Sequence, residues 1–171
     1  MKILKKIVLA LLILIAIVLI IALFVPKNFK SEKTIIINKP KNEVFEYIRY
    51  IKNQDNFGVW QLSDPDMKKT YEGTDGTVGF KYSWKSKKLS EGSQTITAID
   101  EGNRVDSELD FGFGKPAKAY FIVKEKGQDQ TEVTWGITGR TPYPFNIMSL
   151  FYDMGNDFRK GLENLKKELE K

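Results

Sequence analysis

The sequence predicts an α+β domain behind one transmembrane helix, the domain being a curved antiparallel sheet around a long C-terminal helix. Three observations predict it. The chain opens on an unbroken apolar run, residues 68–139 alternate apolar with polar side chains, and the end of the chain repeats apolar residues at steps of three and four.

Residues 7–25 read IVLALLILIAIVLIIALFV, without a charge, proline, glycine or polar side chain. These nineteen residues, at about 1.5 Å each, make a helix roughly 28 Å long, close to the roughly 30 Å of a bilayer's hydrocarbon core. A cleaved secretory signal has a shorter apolar region ending at small residues, whereas this run ends Leu23-Phe24-Val25-Pro26. A buried core helix would keep a polar stripe. Residues 1–26 are therefore expected to form an uncleaved, single-pass signal-anchor. Lys2, Lys5 and Lys6 favour a cytoplasmic N-terminus and an extracytoplasmic soluble part, although Lys27, Lys30 and Lys33 blunt the asymmetry.

Residues 27–33 read as a polar stem, and residues 34–171 suit one domain with a sizeable core. Three of the five excess positive charges belong to Lys2, Lys5 and Lys6, and no basic tract follows that would point to nucleic acid. The chain has no cysteine and no histidine. Disulfides, cysteine nucleophiles, histidine bases and Cys/His zinc sites are thereby excluded. No metal or cofactor is expected.

Thr34-Ile35-Ile36-Ile37, β-branched throughout, predicts the first strand. Pro40 suits a first helical position, and Val44, Phe45, Ile48 and Ile51 recur at helical spacing, so residues 40–51 form an amphipathic helix. Asn53 to Trp60 reads as a short helix or turn. Val78, Phe80, Tyr82 and Trp84 then share one strand face; Gln94, Ile96 and Ala98 share another. Val105, Leu109, Phe111 and Phe113 follow, then Ala119, Phe121 and Val123, then Val133, Trp135 and Ile137. Turn residues separate these runs at 73–76, 100–103 and 127–129, giving a meander of about six strands. Beyond Pro142 and Pro144, apolar residues from Ile147 to Leu169 mark one long amphipathic helix. A sheet with one apolar face needs a cover, and that helix is the large candidate. A bent sheet around one helix leaves a cavity between them, where a function would reside.

The opening TIIINKPKNEVFEYI, the central MKKTYEGTDGTVGFKYSWKSKKLSEGSQTITAI and the closing TEVTWGITGRTPYPFNIMSLFYDMGNDFRKGLENLKKELE together resemble the START-like superfamily. Within it they are most similar to the polyketide cyclase/dehydrase and lipid-transport (SRPBCC) group. The resemblance implies a helix-grip fold with a pocket for an apolar small molecule. Some members carry lipids and others catalyse ring closures. No catalytic residue is carried over, because no subgroup's set of pocket residues matches.

Phe80, Tyr82, Trp84, Phe111, Phe121 and Trp135 fall on inward faces and are candidates for a pocket wall as well as for ordinary core. Tyr82 and Trp84 also carry a polar atom that could orient a ligand. Gln94 and Ser107 are inward polar residues that need a partner, whether a ligand, a water or a neighbouring strand. Phe57 and Trp60 plug the pocket's end or join the core. Asp106, Glu108 and Asp110 read as a solvated outer face, and Asp153 and Asp157 as exposed helix positions. In a helix-grip fold the loop Phe111–Pro116 and the segment Thr141–Phe145 both suit the pocket mouth, as a gate or as a surface that dips into lipid. The ordinary readings are a hairpin turn for the first, equally weighted, and a rigid entry into the last helix for the second, which is preferred.

The leading expectation is membrane-anchored binding of a hydrophobic small molecule or lipid, the membrane being engaged by residues 7–25. The alternatives are a cyclase/dehydratase-like enzyme and a protein-interaction module without a ligand.

Overall fold

The computed structural model describes residues 2–171. An apolar helix, α1 (Lys2–Phe24), leads into strand β1 (Asn28–Ile37). Three short helices follow, α2 (Lys41–Ile48), α3 (Gln54–Phe57) and α4 (Val59–Ser63). Then come strands β2 (Lys68–Glu72), β3 (Lys81–Ser86), β4 (Ser90–Asp100), β5 (Arg104–Asp110), β6 (Ala117–Gly127) and β7 (Gln130–Arg140). A 3-10 segment (Phe145–Leu150) precedes the last helix, α5 (Met154–Leu169). Among the described residues the seven strands form one curved antiparallel sheet in the order β1-β7-β6-β5-β4-β3-β2. The first strand closes onto the last, because Asn28 to Ile37 pair with Arg140 to Thr131.

Helix α5 packs along β1 and β7 and against α3 and α4. Its buried Phe158, Leu162, Leu165 and Leu169 recur at three- and four-residue steps and meet Ile37, Val133, Trp135 and Ile137 of the sheet. Each such side chain contributes roughly 1.5–3 kcal/mol by leaving water. The helix comes close at Gly161, where a Cβ would stand 2.5 Å from Cζ3 of Trp135, so only a hydrogen fits. Asp153 starts α5 by accepting a hydrogen bond from the Gly155 N–H at 2.8 Å. At the other end the Lys166 ammonium donates to the Ile36 carbonyl at 2.7 Å.

Four local expectations are corrected. Residues 28–33, expected as stem, belong to β1: on an edge strand, backbone pairing holds the polar run NFKSEK without an apolar alternation. Ala98 faces outward rather than inward, because the register shifts between Ile96 and Ala98. Val78 precedes β3 and is 61% exposed. The last helix begins at Met154, not near Ile147; the residues before it form the 3-10 segment, whose Met148 and Leu150 face outward, followed by exposed Phe151.

The outward face of the sheet carries an ionic cluster. The Tyr120 hydroxyl donates to Glu32 at 2.6 Å, and the Arg104 guanidinium lies 4.8 Å from the Tyr120 ring while pairing with Asp106. Burial first, and then the bond to Glu32, push the Tyr120 hydroxyl from 10.0 up to about 12. Accepting that bond is the main cause that lowers Glu32 below 4.5. The signs are opposite. Stability from Tyr120 is present below pH 10 and lost as pH rises toward about 12, whereas stability from Glu32 is present above pH 4.5 and lost as pH falls. The stability difference between the native chain and Tyr120→Phe, measured by urea unfolding across pH, is therefore expected to be flat between about pH 5 and 10 and to shrink outside that window. A difference that grows above pH 10 contradicts the assignment.

Helix α1 projects from the domain. Its apolar side chains are exposed along its length except at the half-buried Leu19 and the buried Ala22, and it is long and apolar enough to cross a membrane. Its last turn is held from the side. The buried Asn146 amide donates to the carbonyls of Ala22 at 2.7 Å and Val25 at 2.8 Å, supplying donors to helix-end oxygens that α1 leaves unpaired.

Candidate ligand cavity

A cavity of about 270 Å³ lies between the sheet, α3, α4 and the start of α5. It exists because α5 lies across the β1–β7 side of the sheet, leaving the concave side of β3, β4 and β5 uncovered by it. The inward residues of those strands form one wall. Trp84 spreads across Gly92, its register partner on β4, where a Cβ would stand 2.6 Å from its ring. Ala119, Trp135 and Ile137 form the floor. Trp60 and Phe158 close the side toward the helices, each edge-on to another ring of the set.

Five of the eight residues singled out in the sequence border this space: Tyr82, Trp84, Gln94, Phe111 and Trp135. Phe80, Ser107 and Phe121 do not. Phe80 is fully buried beside Tyr71 and Tyr82 toward the β2 edge. Phe121 lies behind the wall, stacked on Trp135 with centroids 4.8 Å apart. Ser107 lies behind Gln94 and accepts a hydrogen bond from its Nε2 at 2.9 Å, so the partner that Gln94 requires is a neighbouring strand. Phe57 belongs to the core beside Trp135, whereas Trp60 borders the cavity.

The sequence reading missed two polar groups of the lining, Gln54 and Gln61. They sit on α3 and α4, helices of one or two turns with no apolar period to place a face, so no pattern marks them as inward. Gln54 is 4% exposed, and the Oε1 atom of Gln61 is buried without a hydrogen-bond partner. With Gln94 they give the cavity three side-chain amides. The Tyr82 hydroxyl donates to the Met67 sulfur at 3.3 Å, and burial is the main cause that raises its pKa above the usual tyrosine value. The lining contains no carboxylate, lysine or arginine; Tyr82 and Tyr152 are its titratable groups. Tyr152, half in solvent, stands at the opening and donates to Asp157 on α5, and Phe111, also half in solvent in the loop after β5, meets the Trp84 ring edge-on. All three tryptophans of the chain, Trp60, Trp84 and Trp135, border the cavity.

No protein-family model matches the chain, and no curated protein matches it in sequence. Solved structures match in shape. Norcoclaurine synthase from Thalictrum flavum, in complex with dopamine and hydroxybenzaldehyde, superposes with a TM-score of 0.65 at 10% identity, over 84% of this chain and 87% of that one. The Aha1 dimer from Colwellia psychrerythraea matches with a TM-score of 0.59 at 13% identity, over 83% of this chain and 96% of that one. Ara h 8.0201 matches with a TM-score of 0.56 at 14% identity, covering 84% and 98%. At such identities the likeness concerns architecture alone. The part of the chain that follows α1 has a START-like, helix-grip fold.

Proposed function

We propose that the domain binds a hydrophobic small molecule with a neutral hydrogen-bonding group, and that α1 holds it to a membrane. The observation that carries this reading is the composition of the cavity, an aromatic and aliphatic lining interrupted by Gln54, Gln61 and Gln94 and by no charged side chain. Amides donate and accept but cannot neutralise an ion, so a buried carboxylate or phosphate would lose its hydration without a counter-charge. A hydroxyl, keto or amide group on an apolar body would not. The volume limits the guest. A dry cavity of about 150 Å³ holds benzene, so about 270 Å³ suits a bicyclic ring system or the end of an acyl chain.

One known protein of similar shape lends context. The norcoclaurine synthase structure is in complex with two small aromatic molecules. Acid–base chemistry of its own would need a titratable group near neutral pH, and here the lining offers only tyrosines whose pKa is raised. Binding is therefore the better supported reading. The orientation that Lys2, Lys5 and Lys6 favour puts the domain on the extracytoplasmic side.

The three tryptophans supply the test. In full-length protein held in lipid nanodiscs, 6-bromo-2-naphthol is expected to quench their emission saturably, since its bromine would lie beside the indoles. Ala119→Phe puts a ring into the floor of the cavity and is expected to weaken that quenching at least about tenfold while the domain stays folded. Equal, non-saturating quenching in both proteins would show that the naphthol only dissolves in the lipid, and would end the binding reading.

A further inference from the structure

We infer that the apolar rim of the cavity is seated in the bilayer that α1 crosses, so that the guest passes between lipid and cavity without entering water. The inference rests on the proposed binding role, and adds a route and a partner surface to it.

Two loops flank the opening, residues 111–116 through Phe111 and residues 141–153 through Tyr152. They touch each other where Phe113 and Phe145 meet edge-on, with centroids 5.0 Å apart. The second loop also clasps α1. Besides the two bonds from Asn146, the Tyr143 hydroxyl donates to the Leu19 carbonyl at 3.4 Å, and the Thr141 N–H donates to the Lys27 carbonyl at 2.8 Å. Leu19 lies five residues before Phe24, so Tyr143 reaches back roughly 8 Å along the apolar helix, at about 1.5 Å per residue. A loop fixed to the last turns of a membrane-crossing helix stands at the membrane surface whichever way the helix crosses.

The side chains on these loops fit that position. Phe113, Phe145, Met148, Leu150 and Phe151 are 48–84% exposed on this one end of the molecule. In water such a cluster is costly; in the interfacial layer it is favourable, and tyrosines such as Tyr143 and Tyr152 concentrate at that depth. Lys27, Lys115 and Arg140, which form no salt bridge among the described residues, stand at the same end and suit anionic headgroups. The opening, framed by Phe111 and Tyr152, therefore faces lipid.

The chain has no native cysteine, so single labels are clean. Full-length Phe113→Cys, Phe151→Cys and Asp129→Cys, each carrying the dye NBD, are placed in nanodiscs of phosphatidylcholine and phosphatidylglycerol. Asp129 lies in the β6–β7 turn. The labels at 113 and 151 are expected to be quenched by doxyl-lipid and shielded from aqueous iodide, and the label at 129 to behave in the opposite way. Iodide quenching at 113 and 151 equal to that at 129 overturns the inference, and would include the case where this rim docks a protein instead. As a second variant, Phe113→Asp with Phe151→Asp is expected to slow the transfer of 6-bromo-2-naphthol from nanodisc lipid to the tryptophans at least about tenfold, with the depth of quenching at saturation unchanged. Loss of saturable quenching already in the native chain would refute cavity binding; exposed labels with saturable quenching intact would refute only the membrane seat.

Discussion

Replacing Trp135 by alanine is expected to lower the unfolding free energy of the soluble domain by about 3–5 kcal/mol, the usual cost of emptying a large aromatic site in a core. The site cannot collapse easily. Trp135 is 5% exposed, stacked on Phe121 at 4.8 Å, and met edge-on by Phe57 at 5.6 Å, Phe158 at 5.1 Å and Trp60 at 5.9 Å. Gly161 of α5 rests directly on its ring. Removing the indole therefore weakens the hold of α3, α4 and α5 on the sheet together. A domain of this size is stable by only about 5–15 kcal/mol, so the variant stands near its threshold. Urea unfolding of full-length protein in detergent, followed by far-ultraviolet circular dichroism, measures the change. A loss below about 1 kcal/mol would mean that the ring cluster is not the joint between the layers. The same substitution removes part of the cavity floor and is expected to weaken naphthol binding.

The second large effect concerns the junction of α1 and the domain. Asn146→Ala leaves the carbonyls of Ala22 and Val25 without the donors that now stand at 2.7 and 2.8 Å. Ala22 is fully buried and Val25 is 8% exposed, so water does not readily replace the amide. At about 1–3 kcal/mol for each unsatisfied buried group, the clasp is expected to loosen by about 1–3 kcal/mol once the release of Asn146's own unpaired Oδ1 is deducted. That is roughly fivefold to a hundredfold in the docking equilibrium. Spin labels at Leu9→Cys and Asp129→Cys are expected to give a narrow distance distribution in the native chain and a broad one in the variant. Asn146→Asp keeps the shape but cannot donate when ionised, and is expected to broaden the distribution as alanine does. A narrow distribution in the aspartate variant would contradict the hydrogen-bond account.

The parts of the fold legible in the sequence are those in which burial leaves a period. Strand alternation located β3 to β7, and the three- and four-step repeat located the buried face of α5, because in each case one face meets the core and the other meets water. Illegible parts have other physical origins. The first half of β1 is held by backbone pairing at an edge. The shift after Ile96 turns Ala98 outward by inserting one residue, and alternation carries no sign of that. Residues 147–151 do repeat like a helix face, yet Met148, Leu150 and Phe151 are exposed; an apolar period does not say what the apolar side chains meet. The cavity divides similarly. Tyr82, Trp84, Gln94 and Trp135 came from strand alternation. Phe111, beyond the end of β5, borders the opening rather than the interior. Gln54 and Gln61 sit on helices too short to display a face, and only the tertiary structure brings them to the strands.

A cavity that receives a neutral, largely apolar guest is the core of the proposed function. The most direct measurement is a crystal structure of the full-length protein soaked with 6-bromo-2-naphthol, with diffraction collected at the bromine edge. The expected result is one anomalous peak inside the cavity between Trp84 and Trp135, with the naphthol hydroxyl within hydrogen-bond distance of Gln54, Gln61 or Gln94. At saturating naphthol, an empty cavity, or bromine only on the outer surface, would contradict it.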